Sequence, residues 1–257
     1  MRRTVAMVIA LLAIGGMVFA NGTTEQTTAP AMKALPKIVI ATDATWPPME
    51  FVDANKQIVG FDIDLMNAAA KAGGFTVEFK NTAWDGIFAG LANGDYDAVM
   101  SSVTITEERQ KTMDFSVPYI NAGQVLVVRK DESGISTLAD LSGKQVGAQI
   151  GTTGAIAVQK VPGVHLRTYD EIGLAVEDLV NGRVDGIVAD NPTAANYVLQ
   201  NDKYKEKLKI VGKPFTDEYY GVAVKKGNSA PLDLINKGLS IVLKDGTVEA
   251  LQTKWLR

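Results

Sequence analysis

In the stretch Val99–Gln110, VMSSVTITEERQ, an apolar run gives way to Ser101, Ser102, Thr104 and Thr106, and Arg109 follows Thr104 by five positions. The hydroxyls offer neutral donors and acceptors, while a guanidinium offers a planar fork suited to a carboxylate. A helix opening at EER would add free N–H groups that also favour an anion. The opposite charge stands at Asp190, at the end of the run GRVDGIVAD. A fork for a carboxylate together with a counter-charge for an ammonium fits a zwitterion.

Two segments of the same grammar carry these groups. LANGDYDAVMSS (Leu91–Ser102) and LVNGRVDGIVAD (Leu179–Asp190) share Leu-x-Asn-Gly-x-x-Asp-small-apolar-apolar, which sets Ser101 against Ala189 and Ser102 against Asp190. Each reads as a helix end, a glycine cap and a strand. VIATDATW and VGAQIGTTGA form a second matched pair. KIVIAT reads as a strand ending at Asp43, and FTVEF as another. In GFDIDLMNAAAKAGG, Phe61, Leu65 and Ala69 share one helical face, which stops at Gly73–Gly74. Asp85 is the expected N-cap of a helix that ends at Asn93–Gly94. Strands alternating with helices predict an α/β protein of two similar lobes, each a mainly parallel sheet flanked by helices. Ligands of such sheets sit beyond the carboxyl ends of the strands. Asp43, Ser101–Ser102, Gly151–Gly154 and Asp190 are therefore expected to face one cleft.

Arg2 and Arg3 precede an apolar run from Val5 to Val18 and then VFA, the pattern of a secretory signal peptide spanning residues 1–20. The run is shorter than the roughly 18 residues a spanning helix needs. Its removal takes away two positive charges, moving the formal net charge from −3 to −5, which is not the balance of a nucleic-acid binder. Residues 21–36, rich in Thr, Ala and Pro, read as a flexible leader. With no cysteine there is neither a disulfide framework nor a lipid-acceptor thiol, and the lone His165 makes a metal site an unlikely design. Glu50 is expected in a loop, Asp62 at a helix cap, and KYKEKLK (203–209) on a solvated face. The mature chain is expected to be soluble outside the cytoplasm.

Taken in order from Lys37 to the C-terminus, GFDIDL, SSVTITEERQ, FSVPY, GTTG and GRVDGIVAD resemble the polar amino-acid family of bacterial extracytoplasmic solute-binding proteins, the receptors of ABC importers. The resemblance implies a two-lobed, type II periplasmic-binding-protein-like fold with crossing hinge strands near Ile120–Gln124 and Pro214–Glu218. Lobe 1 would comprise residues 37–121 and 218–257, and lobe 2 residues 122–217. It also implies that Arg109 clamps an α-carboxylate, aided by amides at Thr104 and Thr153, while Asp190 and Ser102 take the α-ammonium. Side-chain choice would then fall to Asp43, Trp46, Trp84, Ser101 and Gln149. Two indole faces can sandwich a flat or cationic group, and Asp43 can pair with a distal cation or accept from an amide. Arginine, lysine or ornithine is favoured, with glutamine as the alternative. The expected partners are the free amino acid and a membrane permease, with a monomeric chain and no cofactor. An enzyme on the same fold, such as a cyclohexadienyl-type dehydratase, is the rival, but no unpaired catalytic acid is evident beside the zwitterion site.

Overall fold

The computed structural model describes residues 34–257; the expected signal peptide (1–20) and residues 21–33 of the expected leader lie outside the described residues. The strand Lys37–Thr42 is flanked by Thr76–Asn81 and Ala98–Val99, both parallel to it. Ala223–Lys225 then runs antiparallel to Ala98–Val99, and Met113–Phe115 antiparallel to Ala223–Lys225. A second five-stranded sheet repeats this order: Gln145–Gln149 lies between the parallel strands His165–Tyr169 and Gly186–Asp190, followed by antiparallel Gln124–Arg129 and Leu208–Val211. These are the two lobes of a type II fold.

The repeated sequence motif does the same work in each lobe. The helices Ile87–Asn93 and Ile172–Val180 end at Gly94 (φ 86°) and just before Gly182 (φ 72°), conformations that cost glycine little. The Asp of each motif then ties two strands together. Asp97 Oδ2 accepts from Val39 N at 2.8 Å, and Asp185 Oδ2 from Gln145 N at 3.0 Å. The shared spacing therefore aligns the carboxyl ends of matching strands at the cleft.

Two chain crossings join the lobes. Ile120–Asn121 pairs antiparallel with Tyr219–Tyr220, and Ala122 N donates to Glu218 O at 2.8 Å. The paired return strand thus begins just past the expected Pro214–Glu218 window. Within that window a side chain replaces part of the ladder, as Gln124 N donates to Thr216 Oγ1 at 2.7 Å. The N-cap expected at Asp85 is also displaced: Gly86 caps the helix with φ 90° and makes no side-chain bond.

The first lobe is buttressed by the helix Phe61–Gly73, whose expected face is fully buried at Phe61, Leu65 and Ala69. It packs against the helix Ser229–Val242 so closely that a Cβ on Gly238 would stand 2.1 Å from Ala69 O. Gly238→Ala must therefore push the two helices apart. Overpacking of this kind costs about 1–3 kcal/mol, so the urea midpoint should fall; an unchanged midpoint would show that the close approach carries no stability.

Candidate functional site

All ten side chains expected to bind the ligand line one cavity, which encloses about 310 Å³ of atom-free space including its open mouth. The first lobe contributes Asp43, Trp46, Trp84, Ser101, Ser102, Thr104 and Arg109; the second contributes Gln149, Thr153 and Asp190. Both tryptophans are nearly buried, whereas Trp255 packs edge-on against Phe51 away from the cavity. His165 is exposed at the start of its strand.

Arg109 lines one end of the cavity. Thr106 caps the short helix Glu107–Thr112, accepting from Arg109 N at 3.1 Å. The guanidinium lies over the rings of Trp84 and Phe88, 5.5 and 5.2 Å from their centroids. Its two hydrogen bonds go to carbonyls: Nη1 to Thr104 O at 2.8 Å, and Nη2 across the cleft to Gly151 O at 3.3 Å. Other N–H donors of the fork are left for a guest. Burial pulls its pKa down, opposed by the charges of Asp190 and Glu218.

Asp190 ends its strand buried, with Oδ1 accepting from Gln124 Nε2. Burial, and then the Glu218 charge, push its pKa up to about 7, although Tyr220, Gln124 and Arg109 act in the other direction. Two lobes thus present one half-buried cation and one buried carboxyl to the same small space.

The far end is acidic. Asp43 N donates to Ser101 Oγ at 2.9 Å, tying the two strand ends, and Asp43 Oδ1 accepts from Thr45 Oγ1 at 2.9 Å. Across the cleft, Gln149 Nε2 donates to Asp43 Oδ2 at 2.9 Å. Burial raises the Asp43 pKa, while Thr45 and Gln149 restrain it.

Thr152, inside the expected Gly151–Gly154 segment, also lines the cavity, and so does Glu50, which the sequence did not mark as a cleft residue. Thr152 caps the helix Thr153–Gln159. Glu50 is not a loop residue but lies fully buried in the strand Glu50–Val52, accepting from Ser101 Oγ and Ser102 Oγ at 3.2 Å each. Its burial inverts the usual alternation: the acid faces inward while Phe51 packs on Trp255. Only that short MEF alternation, read with polarity reversed, could have signalled it. Asp62 is likewise buried, in the first helical turn behind the cap residue Gly60. Its Oδ2 accepts from Ser102 N at 3.0 Å and from Tyr119 OH at 2.7 Å. These bonds hold Ser102 at φ 51°, a left-handed conformation uncommon outside glycine. Burial drives the Glu50 pKa well above the usual range, reinforced by Asp62 and Asp43, and lifts Asp62 to about 6.

The fold and the cavity together define a two-lobed solute-binding protein with its site between the lobes. The chain belongs to the bacterial extracellular solute-binding proteins, family 3, which it matches over residues 38–257. It is 36% identical to the "Probable histidine-binding protein" of Neisseria gonorrhoeae over 99% of this chain and 96% of that one. The ABC transporter arginine-binding protein 1 of Escherichia coli (strain K12) is 36% identical, over 86% of this chain and 91% of its own. An ancestral arginine-binding protein solved with arginine is 46% identical, with a TM-score of 0.82 over 88% of this chain and 100% of that one. An ancestral arginine-binding protein solved with glutamine is also 46% identical, with a TM-score of 0.80 over 87% of this chain and 99% of that one. These are amino-acid-binding proteins, and the amino acid differs among them. Among the described residues no helix is long and apolar enough to cross a membrane.

Raised carboxyl pKa values carry a stability consequence of definite sign. A folded pKa above the unfolded one means that folding favours the protonated acid, so this stability is present at low pH and is lost as pH rises through the folded value. The loss sets in above the unfolded carboxyl range and is complete just above about pH 6 for Asp62 and about pH 7 for Asp190. Ligand-free protein should therefore be less stable to urea at pH 8 than at pH 5.5, by on the order of 2 kcal/mol or more. A flat or opposite profile would mean that these acids are solvated.

Proposed function

We propose that the protein binds a free basic amino acid, arginine, lysine or ornithine, between its lobes outside the cytoplasm and delivers it to the membrane permease of an ABC importer. In this reading residues 1–20 direct export, lobe 1 spans 37–121 and 218–257, and lobe 2 spans 122–217. The observation that carries the proposal is one cavity with a guanidinium at one end, a carboxyl on the opposite lobe and further carboxyls at the far end.

Arg109 takes the α-carboxylate, Asp190 and Ser102 take the α-ammonium, and Trp46 and Trp84 flank the aliphatic stem. The distal cation meets Asp43. Gln149 and Thr153 close the site from the second lobe. A ligand touching both lobes stabilises the closed arrangement over the open one, and closure is what the permease recognises. A basic amino acid also offers the far end the cation its carboxyls lack, whereas glutamate or aspartate would bring a further negative charge.

Glutamine is the second reading, favoured by the neutral bond between Gln149 and Asp43, which shows that Asp43 accepts from an amide, and by the glutamine complex of the ancestral relative. The protein is taken to be a binder and not an enzyme. Incubation with prephenate-like acids should give no product, and turnover would replace this reading with the dehydratase one.

Arg109→Met should weaken every amino-acid ligand alike, since loss of one partner of a buried charge pair costs about 2–5 kcal/mol. Near-normal calorimetric affinity would remove Arg109 from the site. Asp43→Asn keeps shape and hydrogen bonding but removes charge, so arginine, lysine and ornithine should lose roughly 2 kcal/mol or more while glutamine changes less. An equal loss for all four would put Asp43 in support of the head group or the fold and end the basic-ligand assignment.

A further inference from the structure

Behind the cavity, on the hinge side, lies a carboxylate that the sequence reading did not single out. Glu218 belongs to the return crossing, where its carbonyl accepts from Ala122 N of the outgoing crossing. Its side chain reaches forward between the lobes. A single oxygen, Oε2, accepts from Thr153 Oγ1 of the second lobe at 2.6 Å and from Thr104 Oγ1 of the first at 3.1 Å. Gln124 Nε2, which also holds Asp190, lies 3.4 Å from the same oxygen.

Each threonine hydroxyl has one hydrogen. With both hydrogens committed to Glu218, the 3.4 Å approach of the two hydroxyl oxygens to each other supplies no bond of its own. Neither hydroxyl can then donate to a guest. Thr104 and Thr153 line both the ligand cavity and the larger hinge-side crevice, whereas Glu218 lines only the crevice. Glu218 therefore stands behind the threonines and out of reach of a ligand in the cavity.

We propose that Glu218 is a positioning residue for domain closure: a hinge-borne carboxylate that clasps one threonine from each lobe and favours the closed arrangement whether or not a ligand is present. Opening the cleft must pull Thr104 away from Thr153, and a single carboxylate oxygen cannot follow both. Charge-assisted bonds of this kind are roughly twice as strong as neutral ones. The clasp also fixes Gln124, and through it the carboxyl of Asp190, so closure and the shape of the second lobe's binding wall are set together.

The chain has no cysteine, so a pair of spin labels can be introduced at two exposed positions on opposite lobes, Ala89→Cys and Thr168→Cys. The distance distribution is then measured in ligand-free protein. Glu218→Ala should raise the ratio of long to short distances about tenfold, the equivalent of losing one hydrogen bond to a charged group. Glu218→Gln keeps a carbonyl acceptor and should fall between, and it carries the test if the alanine variant does not fold. Thr153→Val should open the ligand-free protein in the same direction, and combining it with Glu218→Ala should add little.

An unchanged ligand-free distribution in Glu218→Gln and Glu218→Ala would overturn the proposal. So would strict additivity with Thr153→Val, the result expected of a merely structural glutamate. The link to ligand affinity rests on the binding function proposed above: arginine affinity should fall with the closed population. The ligand-free measurement does not, so the clasp and the ligand assignment can fail separately.

Discussion

Taking a charge out of water costs several kcal/mol even after the protein relaxes, and this cavity desolvates charges that form no salt bridge among the described residues. Arg109 has its hydrogen bonds on backbone carbonyls, stacked against Trp84 and Phe88, while Asp190 is held by a neutral amide on the other lobe. The low local dielectric that makes each group costly alone also strengthens any interaction with a guest that satisfies both. Burial lowers the pKa of the guanidinium and raises that of the carboxyl, so each departs from its ordinary value in the direction that desolvation requires. The remainder of the site exists to keep this arrangement from relaxing.

The acidic floor follows the same logic. Among the described residues no lysine or arginine bonds to Asp43, Glu50 or Asp62, which are held instead by Ser101, Ser102, Tyr119, Thr45 and Gln149. Neutral donors stabilise a carboxylate without cancelling its charge. Ser102 is the point where the floor and the binding wall meet, and its left-handed backbone is held by Asp62 below and Glu50 beside it.

Positioning is achieved by duplication. Two sheets of the same strand order each carry an Asn-Gly turn and an aspartate that ties neighbouring strands, so matching strand ends fall at matching heights on either side of the cleft. The lobes meet through Gln149 and Asp43 at one end and through Arg109 and Gly151 at the other. Two crossings connect them, and the second brings Glu218 to the threonines of both lobes.

Local sequence was enough for everything that repeats or ends an element. The Leu-x-Asn-Gly-x-x-Asp motif encodes its own helix stop, turn and strand, because left-handed glycines and backbone-bonding aspartates act within a few residues. With parallel strands inferred, Asp43, Ser101–Ser102, Gly151–Gly154 and Asp190 were expected to share a cleft. What could not be read were the groups whose roles depend on distant partners. Glu50 looks like a loop residue until Ser101 and Ser102, about fifty positions away, close over it. Gly86 displaces Asp85 as a cap because of a backbone turn that composition does not announce. Glu218 acquires meaning only when Thr104 and Thr153, from separate lobes, converge on one oxygen. Hydrogen bonds and burial are decided by which side chains meet in space, and that meeting belongs to the tertiary structure.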